Sequence, residues 1–160
     1  MPAKPVILVD LNILMDVFYK REPFYKLSAR VLGLIESGKV IGFVASHSLP
    51  TLFNIIKKDQ TAKNAKAVVS DLLQIFKVAS VDQSTIKQAL ILDYNDFEDA
   101  VQMSSALQCK ADYLITRNIK DFQPPLIPVM QPVEFLAIYS SSKWFFVLQA
   151  AKLRILRTSS

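Results

Sequence analysis

The residue types that build most metal and redox sites are nearly missing. The chain has one cysteine, Cys109, and one histidine, His47, in 160 residues. A single thiol excludes an internal disulfide framework and any zinc site built on several cysteines. A single imidazole excludes the zinc motifs that need two. One thiol in a cysteine-poor chain suits a reducing cytoplasm. Glycine is scarce, at three, and no repeat or low-complexity segment occurs, which excludes collagen-like classes. No apolar run reaches the roughly 18 residues of a membrane helix. The N-terminal run Val6-Ile-Leu-Val9 is halted by Asp10, so no secretory signal is expected either.

What is present is a composition that packs: 51% hydrophobic and 21% charged residues, in a length that suits one domain. The net charge of +5 is unevenly placed. Residues 140–160 hold Lys143, Lys152, Arg154 and Arg157 and no acid, leaving 15 basic against 14 acidic residues over 1–139. The body is therefore close to neutral, and overall basicity is no argument that it binds nucleic acid. We expect one domain over 1–139 and a basic, apolar tail over 140–160. Lys143 to Leu156 reads as a helix that packs on the domain, lies on a membrane surface, docks a partner or faces RNA.

The pattern alternates strand and helix. Val6 to Val9 is a short β-branched and Leu run that reads as a buried parallel strand, followed by a helix over Leu11 to Tyr19. Tyr25 to Ser37 is amphipathic, with Leu27, Val31, Leu34 and Ile35 at helical spacing and Gly38 as its stop. Val40 to Ser46 reads as a second strand. Ser46 or Ser48 caps a helix over Leu49 to Lys58, and Thr61 to Phe76 forms another. A strand follows over Val78 to Val81, then helices over Asp82 to Leu92 and Asp96 to Cys109. Strands over Tyr113 to Thr116 and Ile127 to Met130, and a helix over Pro132 to Ile138, close the domain. This order predicts a three-layer α/β/α domain around a mostly parallel central sheet.

In open sheets of this kind ligands bind beyond the carboxyl ends of the strands. Asp10 follows the first strand directly. Thr116, Arg117 and Asn118 end or follow a later one, with Asp121 close behind. Asp93, Asp96, Glu98 and Asp99 fall within seven residues that hold no base. Carboxylates gathered at one edge raise one another's pKa unless a cation lies among them. Oxygen ligands without His or Cys suit Mg²⁺ or Mn²⁺, which polarise a phosphate and activate water for in-line attack.

Each of these residues also has a plain structural reading. Asp10 caps the helix that follows it. Asp96 and Asp99 have capping-box spacing, and acids favour helix N-termini. Asp93 and Glu98 read as solvated, Asp121 as a turn cap, and Asn12 as bonding its own turn. His47 reads as a polar residue near a cap, and Cys109 as a small apolar residue on a core face.

Three segments taken together resemble the PIN domain family, of the prokaryotic toxin type. They are Val6-Ile-Leu-Val-Asp-Leu-Asn-Ile-Leu-Met-Asp16 continuing to Arg21-Glu-Pro-Phe24; Asp96-Phe-Glu-Asp-Ala-Val-Gln102 with Ser105 and Ala106; and Ala111-Asp-Tyr-Leu-Ile-Thr-Arg-Asn118 with Lys120, Asp121 and Phe122. The likeness covers about residues 5–138. It implies a cytoplasmic, metal-dependent ribonuclease that uses Mg²⁺ or Mn²⁺ at an acidic cluster. It also implies, for a toxin, an antitoxin partner and self-association as a homodimer. By motif, Asp10 is the first metal-binding acid, and Asp99, with Asp96 beside it, is the acid at the start of the late helix. Asn118 stands where many relatives have Asp, and Asp121 is the nearest carboxylate to serve instead. Thr116 and Asn12 orient the site. Arg117, Lys120, Lys20 and Arg21 are the cations available for RNA phosphates.

Two departures stand out. Relatives usually place a Glu in the helix after the second strand, where this chain reads Ser46-His-Ser-Leu-Pro-Thr-Leu-Phe-Asn54, and Asn118 brings a carbonyl without a charge. They leave open a second expectation, a binding module that keeps the fold with an impaired site. A phosphatase using Asp10 as nucleophile needs a general acid that Asn12 does not supply.

Overall fold

A computed structural model describes residues 3–140. The expected helix over Lys143 to Leu156 lies outside the described residues. The first strand, β1 (Val6–Val9), leads into α1 (Leu11–Phe18) and α2 (Tyr25–Glu36). Then come β2 (Ile41–Ala45), α3 (Ser48–Asp59), α4 (Ala62–Leu73) and β3 (Phe76–Ala79). The second half runs α5 (Gln83–Leu90), α6 (Phe97–Gln108), β4 (Tyr113–Ile115), a 3-10 turn (Ile119–Asp121), β5 (Val129–Met130) and α7 (Pro132–Ser140).

The five strands form one sheet in the order β3-β2-β1-β4-β5, with every pairing parallel. β1 lies at its centre, paired through Leu8↔Phe43 on one side and Leu8↔Leu114 on the other. Alternation along β1 feeds two apolar layers. Ile7 and Val9 pack with residues of α1, α2, α3, α4 and Phe135 of α7. Leu8 packs on the opposite face with Met103 and Ala106 of α6 and with Leu114 and Phe122. All three are fully buried, each stabilising the fold by about 1.5–3 kcal/mol relative to exposure. This is the expected three-layer arrangement, and a strand covered on both faces explains the unbroken apolar run.

Two expectations at element ends need correction. Phe76 opens β3 rather than closing the helix before it: α4 stops at Leu73, and Phe76 pairs with Gly42 of β2. Helical spacing from Leu72 to Phe76 and strand membership both bury that ring, so periodicity does not separate them. The cap position of α3 belongs to His47, which makes no side-chain cap bond, and Ser48 is the first helical residue instead.

The chain leaves β1 for β2 and β3 on one side and later returns to place β4 on the other. That reversal makes the crevice between the carboxyl ends of β1 and β4 the topological switch point.

Candidate functional site at the carboxyl edge of the sheet

Asp10 sits at this switch point, and its backbone N–H extends the ladder by donating to the Ile115 carbonyl at 2.9 Å. Its carboxylate both caps α1 and faces the site. Oδ1 accepts from the Leu11 N–H at 2.7 Å and from Gln102 Nε2 at 3.3 Å, while Oδ2 accepts from the Thr116 hydroxyl at 2.7 Å. The fully buried Thr116 hydroxyl in turn accepts from Asn12 Nδ2 at 3.2 Å and from the Asn118 N–H at 3.1 Å. Thr116 therefore ties the ends of β1 and β4 and the following loop into one network. Burial pushes the Asp10 carboxyl above the usual carboxylate range, and the Asp121 charge adds to it. The bonds from Thr116 and Leu11 and the charge of Arg117 pull the other way.

The start of α6 brings the other acids. Asp96 is its N-cap, accepting from the Glu98 and Asp99 N–H groups at 2.7 and 3.3 Å. The cap fixes the turn that carries Asp99. The Asp99 carboxyl is pushed up to about 7, first by burial and then by the charges of Asp96, Asp10, Asp121 and Glu98. Four carboxylates thus act on a fifth at one edge, although they come from three separate stretches of chain. Asp93 lies in the loop before α6.

The donor set is all oxygen, which is the chemistry of Mg²⁺ or Mn²⁺. The crowding of Asp99 is the electrostatic condition that a bound cation relieves. The buried Asn12 Oδ1 has no hydrogen-bond partner and adds a further oxygen at the edge. These residues fit a divalent cation in kind and in charge. Among the described residues, no three His, Cys, Asp or Glu side chains stand close enough together to hold one as placed.

The four cations differ in their surroundings. Arg117 has a partner of its own: its Nε lies 2.6 Å from Asp16 Oδ2, and its guanidinium stacks 4.1 Å from the Phe24 ring centroid. Arg21 approaches Asp16 at 4.0 Å and lies over Tyr19, and Lys20 lies over Tyr25. Lys120 is exposed in the 3-10 turn beside Asp121.

Two residues of this edge escape a reading of the sequence that looks for acids at strand ends and helix starts. Gln102 follows Asp99 by three positions and so shares its helix face. Asp16 is a carboxylate inside the apolar run of α1, fully buried, and a charge there signals a buried partner. His47, at the end of β2, has a buried Nδ1 without a partner. Burial lowers its pKa, against the pull of Glu98. Cys109 ends α6, half-buried against the Leu8 layer, with its thiol pKa raised by burial.

The sequence profile of the PIN domain family matches residues 6–120. Ribonuclease VapC1 of Aquifex aeolicus (strain VF5) is 25% identical over 136 residues, which cover 81% of this chain and 92% of that protein. Among solved structures, a toxin–antitoxin complex from Klebsiella pneumoniae aligns with a TM-score of 0.62 at 23% identity, covering 79% of this chain and 97% of its counterpart. VapC20 of Mycobacterium tuberculosis, described as a Sarcin-Ricin loop cleaving toxin, aligns with a TM-score of 0.53 at 15% identity over 68% of this chain and 86% of its own.

Proposed function

The chain belongs to the PIN domain family, and from that premise we propose that it is a metal-dependent endoribonuclease, the toxin of a toxin–antitoxin pair. What supports this reading is the approach of α6 to Asp10 at the switch point of the parallel sheet, where Gln102 donates to Asp10 at 3.3 Å and burial, with the charges of Asp96, Asp10, Asp121 and Glu98, pushes Asp99 up to about 7. The name of the Aquifex relative and the toxin–antitoxin complex among the structural neighbours support it.

In this reading Asp10 and Asp99 would hold an Mg²⁺ or Mn²⁺ ion, with Asp96, Asp121 and the Asn118 carbonyl as further oxygens available to it. When bound, the ion supplies Lewis-acid polarisation of a phosphodiester and a more acidic water. The remaining work belongs to the chain. Thr116 and Gln102 donate to Asp10 and fix its carboxylate plane. Asn12 holds the Thr116 hydroxyl from the other side. Lys120 offers an exposed charge to the RNA backbone. Arg117, Arg21 and Lys20 add positive potential while remaining held at Asp16 and the nearby rings. The antitoxin is a protein partner, the chain associates as a homodimer, and the activity belongs in the cytoplasm. No described helix is long and apolar enough to cross a membrane.

The test is cleavage of labelled single-stranded RNA with Mn²⁺, with Mg²⁺ and with EDTA, beside Asp99→Asn and Asp10→Asn prepared identically. We expect metal-dependent cutting that falls about a hundredfold or more in both variants, with unchanged circular dichroism. Full activity in both would sink the reading.

A second reading, a PIN-fold binding module with an impaired site, is favoured by one observation. The stretch Ser46–Asn54, from the turn after β2 into the first half of α3, brings His47 to the cap position and no carboxylate. It expects no heat of Mn²⁺ binding in calorimetry, so a titration that is lost in Asp99→Asn decides against it.

A further inference from the structure

Beside the acidic edge lies a cavity of about 240 Å³ between the start of α2, the loop after β4 and the start of α7. Its lining includes Phe24, Ser28, Arg117, Asn118, Gln131 and Val133, and no acid. Phe24 and Val133 are 39% and 49% exposed, so the cavity opens to solvent. Its volume falls below the ~300–1,000 Å³ that holds drug-sized ligands and suits a single flat ring system.

Three features of the lining describe what it takes. The first is a ready-made stack. The Arg117 guanidinium lies 4.1 Å from the Phe24 centroid and is held in place by Asp16 at 2.6 Å. Unpaired bases stack on aromatic rings and on guanidinium planes. The second is a pair of amides, Asn118 and Gln131, of the kind that bond base edges. Gln131 Nε2 donates to the Arg117 carbonyl at 3.3 Å, which holds its amide against the loop. The third is an unmet bond: Ser28 is fully buried, lines the cavity, and its hydroxyl has no partner. A buried hydroxyl left without a bond is costly, and a ligand that reaches it with a polar atom removes that cost.

We propose that this cavity binds the base of an unpaired nucleotide next to the RNA phosphate at the acidic edge, and so selects where the strand is cut. The inference rests on the ribonuclease reading for its RNA but has its own residues. Asn118 joins the two places, since it lines the cavity and its N–H donates to the Thr116 hydroxyl that holds Asp10.

The experiment reads binding rather than cutting. Wild-type protein in EDTA is titrated into fluorescent short RNAs of each single base and into an abasic ribose-phosphate strand of the same length. At least one base strand is expected to bind roughly tenfold more tightly than the abasic strand, the scale of one base–aromatic stack. Gln131→Ala is expected to reduce that ratio, and Phe24→Ala, which removes the ring from the stack, to bring it to one. Equal binding of base and abasic strands by the wild type overturns the proposal, as does a ratio that survives both substitutions. A co-purified polypeptide that protects Val133 from amide exchange, with no base discrimination, gives the cavity to a protein partner and also overturns it. A parallel incubation with Mn²⁺ separates the two readings. Base discrimination without any cleavage removes the ribonuclease and leaves the cavity standing. Cleavage without discrimination does the reverse.

Discussion

Asp99 is held at about 7 against an ordinary carboxyl value of 3.8 by burial and by the carboxylates around it. Between those two values the folded protein binds the proton more tightly than the unfolded chain does, so stability falls as pH rises through that window. The favourable contribution is fully present below 3.8 and is lost once the pH passes about 7. In EDTA, Asp99→Asn is therefore expected to raise Tm at pH 8 and to make no difference below pH 3.8, as read by thermal denaturation across pH. Identical curves at pH 8 would mean that the neighbouring charges do not crowd it. Asp16 raises the opposite issue. Its side chain is fully buried, and burial pushes its pKa up while Arg117 pulls it down. Among the described residues, Arg117→Ala leaves that carboxylate with Arg21 alone, at 4.0 Å and on a half-exposed side chain. A loss of about 3–5 kcal/mol is expected in urea denaturation, the scale for stripping one partner from a buried pair. A loss below 1 kcal/mol would show that Arg21 moves in to replace it.

Element by element, the parts that border the candidate site are the most legible in sequence. The run Val6 to Val9 ending in Asp10 announces both the central strand and the acid at its end, because only a strand buried on both faces is apolar at every position. The cap at Asp96 is legible for a similar reason, since acids at a helix start serve the exposed N–H groups. What stays hidden is decided by tertiary contact. Phe76 belongs to β3 because Gly42 of β2 is there to pair with it. His47 takes a cap position without a cap bond because the chain must turn after β2. The tie of Gln102 to Asp10 links residues 92 positions apart, and no local pattern carries it. The helix ends also provide a control for the site experiments. Thr61 caps α4 by accepting from the Asn64 N–H at 3.1 Å. Thr61→Ala is expected to cost about 1 kcal/mol in chemical denaturation and to leave RNA cleavage unchanged. A drop in cleavage there would show that simple destabilisation mimics a site defect.

At the scale of the whole molecule, close packing between layers sets the position of β2. A Cβ on Gly42 would come within 2.7 Å of Ile35 Cδ1 and 2.8 Å of its Cγ2, so the whole Ile35 side chain would have to move. Gly42→Ala is expected to destabilise by about 1–3 kcal/mol, seen as a lower denaturation midpoint. An unchanged midpoint would mean that α2 slides on the sheet freely. The strand order has a different kind of consequence. β1 closes its second edge only when β4 arrives, more than a hundred residues later. During translation the ribosome therefore releases Asp10 long before it releases Asp99 and Thr116, and the growing chain holds the candidate site only in part. If the chain is the proposed ribonuclease, a cell that makes it is spared that chemistry until most of the polypeptide has emerged, which leaves an interval for an antitoxin to arrive first.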